Sequence, residues 1–203
     1  MTSLDSSNKY YIFLDTSYNL NLGFMDKDFN WLSFEELQSK KSSEVIHDKI
    51  NEMLERFKVD ISMTSLFIIS GPGSYTGLRV SEGLGQIFEI EDISVYSFNV
   101  FSLGNILKSE IGTKMKWIFP AFKGEVFLRE LDEEEGHLVS ENSEFDGEYI
   151  THGENKFTPI SSLNSVDLIK NHSKKLFPAV LKNKLRDQVF YFRSLDKEFS
   201  KKA

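Results

Sequence analysis

"ISGPGSYTGLRVSEGLG", residues 69–85, decides how this chain reads. It holds five glycines and one of the four prolines, and it overlaps the end of the apolar run "SLFIIS" (65–70). A buried strand therefore meets a break at Gly71, Pro72 and Gly73, and a helix begins beyond it with Ser74 as N-cap. Backbone N–H groups at a helix start attract anions. Gly71, Pro72, Gly73 and Ser74 thus form a structural turn and a candidate anion site. No Gly-Lys-Ser/Thr follows, however, and the spacing is not Gly-x-Gly-x-x-Gly, so neither phosphate-loop pattern is present. The glycines also continue past the turn. Gly77, Ser81 and Gly85 recur every four residues and share one narrow stripe of the helix, with Gly83 outside it. Each interior glycine costs about 1 kcal/mol relative to alanine. Close packing must offset that cost, either against the protein's own sheet or against a partner helix.

Upstream lie three apolar, alternating runs: "YYIFLDTS" (10–17), "LNLGFMD" (20–26) and "FNWLSFEEL" (29–37). They predict a three-strand meander. Val45, Ile46, Ile50, Met53, Leu54 and Phe57 recur at helical spacing and predict a helix over 42–57. Downstream of the glycines, a helix is expected over 75–90, a strand over 93–98 and a helix over 99–110. This order fits a mixed sheet with right-handed parallel crossovers. It is the order of the ribonuclease-H-like fold shared by the actin/Hsp70-like superfamily.

From Lys114 the pattern restarts. "MKWIFPAF" and "GEVFLREL" predict a strand pair turning at Lys123-Gly124, "DEEEGH" (132–137) an acidic hairpin tip, and "HLVSENSEF" a third strand. Val166, Ile169 and Leu176 predict a helix over 165–177. Two lobes are expected, residues 1–112 and a smaller, truncated α/β lobe over 113–203.

The 203 residues carry a net charge of −7, and 40% are hydrophobic, including 18 Phe. Such a chain can bury a core, and its acidity argues against binding nucleic acid alone. Cysteine is absent, which removes disulfides, thiolate catalysis and Cys-type zinc sites. A signal-peptide pattern and a membrane-length apolar run are also missing. The expectation is a soluble, cytoplasmic protein.

The motif "GPGSYTGLRV" closely resembles the signature of the TsaB family, also called YeaZ. "IFLDTS", "SSE" (42–44), "AFKGEVF" and "VFYFR" resemble further family segments in the same order. The departures are Ser42 for a histidine, Pro120 and Phe122 in an Asp-Ala-Arg segment, Val189 for a proline, Ser81 and Ile87 where the second helix usually has glycine, and a shorter second lobe. The resemblance implies an actin/Hsp70-like fold and a role in making threonylcarbamoyladenosine in tRNA. It implies a non-catalytic dimerisation subunit paired with a TsaD-like catalytic subunit. A TsaE-like ATPase joins the complex, which uses ATP and meets tRNA, while the isolated chain holds no cofactor. The first two helices would form the contact, through Ser43, Glu44, His47, Tyr75, Thr76, Arg79 and Gly83. The same surface can form a homodimer.

Asp15 ends the first strand, where an acid in the wider superfamily helps hold metal and phosphate. Tyr18-Asn19 follows without the usual glycine, so Asp15 reads first as a turn cap and second as part of an anion site. The histidines, 47, 137, 152 and 172, are scattered, with no His-x-x-x-His pair for a metal. No Gly-x-Ser-x-Gly nucleophile motif occurs. No catalytic residue and no metal ligand is therefore assigned. The rival readings are a small-molecule kinase or hydrolase of the same superfamily, and a homodimeric protein with some other partner.

Overall fold

The computed structural model describes residues 10–37, 42–112, 114–121, 124–153 and 161–192. Strands β1 (Tyr10–Asp15), β2 (Leu20–Asp26) and β3 (Trp31–Leu37) form the expected meander. Helix α1 spans Ser42–Phe57, and β4 (Thr64–Ile69) then pairs parallel to β1. All of β4 is buried, as its unbroken apolar run requires. Helix α2 spans Tyr75–Ile90, and β5 (Val95–Phe98) pairs parallel to β4. The sheet order is β3-β2-β1-β4-β5.

The predicted helix over 99–110 is two short ones, α3 (Ser102–Ile106) and α4 (Lys108–Ile111), separated at the buried Leu107. A second five-stranded sheet follows. Its strands are β6 (Lys116–Pro120), β7 (Glu125–Glu130), β8 (His137–Ser140), β9 (Glu148–Thr151) and β10 (Ser161–Asn164). Their order is β10-β9-β6-β7-β8. β6, β7 and β8 form an antiparallel meander, while β9 and β10 run parallel to β6. This repeats the topology of the first sheet, although the sequence shows no repeat. Where α1 links β3 to β4, only the loop 141–147 links β8 to β9. The second lobe is thus a reduced copy of the first.

The helix predicted over 165–177 is also divided. α5 (Ser165–Asn171) and α6 (Ser173–Lys182) break at His172. The buried Ser173 hydroxyl donates to the Phe29 carbonyl at 2.8 Å and ties the start of α6 to the first lobe. Phe177 then packs against Phe13, Phe29, Trp31, Phe67 and Phe98. So α6, late in the chain, covers one face of the first sheet. Helices α1 and α2 cover the other, where Ile46, Ile50 and Met53 meet Leu84, Phe88, Ile12 and Leu66. The cluster around Phe177 continues without a break into Trp117, Phe119 and Phe127 of the second sheet. The two sheets therefore separate near residue 112 in sequence but share one core. Residues 185–190 also return to the first lobe. Ser97 N–H donates to the Leu185 carbonyl, Asp187 N–H to that of Ser97, and Phe190 N–H to that of Ser70.

Among the described residues, no helix is long and apolar enough to cross a membrane.

Candidate functional site

The glycine turn lies where β1 and β4 end side by side. Gly71 and Pro72 are buried, and the Gly71 carbonyl accepts from Val100 N–H. Ser74 caps α2, its hydroxyl accepting from Gly77 N–H at 3.0 Å. The loop after β1 presses directly onto this turn. Ser74 N–H donates to the Ser17 carbonyl, and the Thr16 hydroxyl donates to the Gly77 carbonyl at 2.6 Å. A Cβ on Gly73 would lie 2.3 Å from that of Ser17, and one on Gly77 only 1.9 Å from the Thr16 carbonyl oxygen. Without a side chain, these two glycines let the loop after β1 lie against the turn and the first turn of α2.

The stripe question resolves along the same helix. Gly77, Ser81 and Gly85 are buried, and a Cβ on Gly85 would meet Ile68 and Val95 of the sheet. The stripe packs on the protein's own sheet. Gly83 differs, since nothing lies within 4 Å of its added Cβ. Gly83, Ile87 and Ile90 follow one another at helical spacing on the outer side of α2. Ile87 is 50% exposed and Ile90 78%. Half-buried Val80 precedes them on that side.

The other expected contact residues lie on these two helices. Ser43 is in the first turn of α1, and Glu44 and His47 are exposed on it. Thr76 and Arg79 are exposed on α2. The Arg79 guanidinium stacks over the Tyr75 ring at 4.2 Å, and Tyr75 meets Tyr191 from the end of the described chain. This fixes both large side chains at the start of α2. Farther along, Arg186 joins Glu82 and Glu89 of α2 to Ser97 of β5, and the two carboxylates raise its pKa.

Asp15 does more than cap a turn. It is 1% exposed and accepts four hydrogen bonds. Ser17 N–H and the Ser17 hydroxyl donate to Oδ1, at 2.9 and 2.5 Å. Asn21 Nδ2 and His152 Nε2 donate to Oδ2, at 2.9 and 3.0 Å. Burial alone would raise the carboxyl pKa; the facing imidazole and the Ser17 bonds outweigh it and hold Asp15 below the usual carboxylate range. His152 is equally buried, and its Nε2 also meets the Ser17 hydroxyl oxygen at 2.7 Å. Because that hydroxyl donates to Asp15, its oxygen accepts, so Nε2 carries the proton. The opposite ring nitrogen, Nδ1, lies 2.5 Å from the Ser165 hydroxyl at the start of α5. Tyr18 closes one side, its ring edge-on to His152 and its hydroxyl donating to the Pro120 carbonyl at 3.2 Å. Burial and the nearby Asp15 carboxylate push the Tyr18 phenol far above its ordinary pKa.

Sequence reasoning flagged Asp15 but missed His152, Asn21, Ser165 and Tyr18 as its company. No spacing could reveal a partner 135 residues away from Ser17. Among the described residues, no group of three or more His, Asp or Glu side chains is placed to hold a metal ion.

The sequence matches no family model and no curated protein. Solved structures do match. YeaZ from Pseudomonas aeruginosa is similar over 88% of this chain and 99% of its own, with a TM-score of 0.57 at 13% identity. A crystal structure from Pseudomonas aeruginosa, of an uncharacterized protein with similarity to peptidase YeaZ, is similar over 90% of this chain and 100% of its own. Its TM-score is 0.56 at 12% identity. At such identities the likeness speaks for the fold. With the duplicated β3-β2-β1-β4-β5 topology, it establishes an actin/Hsp70-like α/β fold, that of YeaZ.

Proposed function

We propose that this chain is a TsaB-like, non-catalytic dimerisation subunit. It pairs through α1 and α2 with a TsaD-like catalytic subunit that makes threonylcarbamoyladenosine in tRNA. A TsaE-like ATPase joins the pair and consumes the ATP, and tRNA is met by the complex rather than by this acidic chain alone. The observation that carries the reading is the outer side of α2. An interior glycine costs about 1 kcal/mol in a helix, and among the described residues nothing lies within 4 Å of a Cβ at Gly83 to offset that cost. Two exposed isoleucines continue its face, which suits the approach of a partner helix. The "GPGSYTGLRV" motif and the fold of YeaZ point the same way. Asp15, the acid an active relative would turn toward metal and phosphate, is instead held inward by four donors.

Reconstitution tests this. The pure chain, given threonylcarbamoyl-adenylate and tRNA, is expected to form no modified base. Adding the TsaD-like subunit of the same cell, with its ATPase, is expected to give multiple turnover that depends on this chain. Turnover by the chain alone, or full activity of the catalytic subunit without it, contradicts the proposal.

A further inference from the structure

In open α/β sheets, ligands settle in the crevice outside the carboxyl ends of the parallel strands. Here two such sheets bring those ends together. β1 ends at Asp15, β6 at Pro120 and β9 at Thr151. The contacts across the joint at this edge are polar: Asp15 and Ser17 with His152, and Tyr18 with the Pro120 carbonyl. Gly153, at φ +75°, lets the backbone after His152 lie against Tyr18. Elsewhere the lobes share apolar contacts, with Phe101 on Trp117 and Phe119 and Phe190 on Phe127, together with the Ser173–Phe29 hydrogen bond and exposed pairs such as Lys108–Asp132.

We propose that the Asp15–His152 pair is a built-in clamp. It closes the crevice between the lobes in the place a bridging ligand would take, so the lobes stay closed without one. Three features support this. The imidazole comes from the second lobe and reaches a carboxylate of the first, and both are 1% exposed. Each ring nitrogen is engaged, one by Asp15 and Ser17 and the other by Ser165, which fixes the ring's plane and position. Asp15 has no acceptor site left for another donor, because Ser17 and Asn21 take the remainder. Tyr18 also faces the pair, and its hydroxyl bonds across the same joint. Crevice closure is then a property of the folded chain itself. It is independent of what α1 and α2 bind.

The absence of cysteine allows a direct test. Ser62→Cys and Asn142→Cys place one spin label on each lobe at exposed positions. The labelled protein is expected to show one narrow distance distribution, unchanged by millimolar Mg-ATP. His152→Ala is expected to lengthen and broaden it while circular dichroism stays native. Free imidazole, filling the vacated site between Asp15 and Ser165, is expected to restore it. His152→Gln, which keeps a donor toward Asp15, is expected to stay narrow. If His152→Ala fails to fold, Ser17→Ala carries the test, since it deletes one bond to the ring and is expected to broaden the distribution. The clamp is overturned if the folded variant keeps the native distribution. It is also overturned if imidazole leaves the lobes open, or if ATP closes the native protein further.

Discussion

Gly77 and Gly83 sit six residues apart on one helix and do opposite work. The first lets the Thr16 carbonyl approach the helix backbone; the second faces open space. Gly77→Ala is therefore expected to destabilise the fold by about 1–3 kcal/mol through overpacking. Gly83→Ala is expected to leave it unchanged or to add up to about 1 kcal/mol from helix propensity. Thermal unfolding of the two variants checks the contrast; equal effects would contradict it. Asp15 gives a second prediction at this scale. Its folded pKa lies below the ordinary value, so its contribution is fully present above the unfolded pKa of about 3.9. That contribution is lost as pH falls through the lower folded value. Asp15→Asn removes this acid-sensitive part. Its urea midpoint is expected to be lower than native at pH 7 and to approach the native one below pH 4. A constant gap across that range would contradict the assignment. His152→Ala leaves the buried carboxylate short of one donor, at an expected cost of about 1–3 kcal/mol in urea unfolding.

At the scale of elements, α6 belongs energetically to the first sheet. Phe177→Ala should cost about 3–5 kcal/mol in urea unfolding, and a cost under about 1 kcal/mol would place α6 outside the core. What the sequence revealed follows from which elements carry periodic burial. α1 and α2 show helical spacing along their full length, and their observed limits, 42–57 and 75–90, are the expected ones. β4 declares itself as an unbroken apolar run. β9 (EYIT) and β10 (SSLN) have no such pattern. Both have four residues, too few to show a period, and β10 is mostly polar; parallel neighbours rather than their own alternation hold them in the sheet. The break at His172 was hidden for a similar reason, since the tie from Ser173 to Phe29 spans 144 residues.

At the scale of the whole molecule, the chain is two copies of one topology that share a core and meet again at a polar joint. The second copy lacks the helix between its third and fourth strands, and among the described residues one face of its sheet carries a small cluster of Ile118, Val126 and Tyr149 with Leu128, Val139 and Phe145 against it. In the first lobe α1 and α2 lie side by side, and through them we propose that this chain meets a partner. That the small residues of α2 need a packing reason was legible in the sequence. Which of them faced outward was not, because the Gly77-Ser81-Gly85 stripe and Gly83 differ only in what the fold places against them. The most direct measurement is a binding titration of Gly83→Arg against the TsaD-like catalytic subunit, with light scattering and a melting curve alongside. The account predicts a native melting temperature with loss of both heterologous pairing and self-association. Unchanged affinity in the folded variant would contradict it.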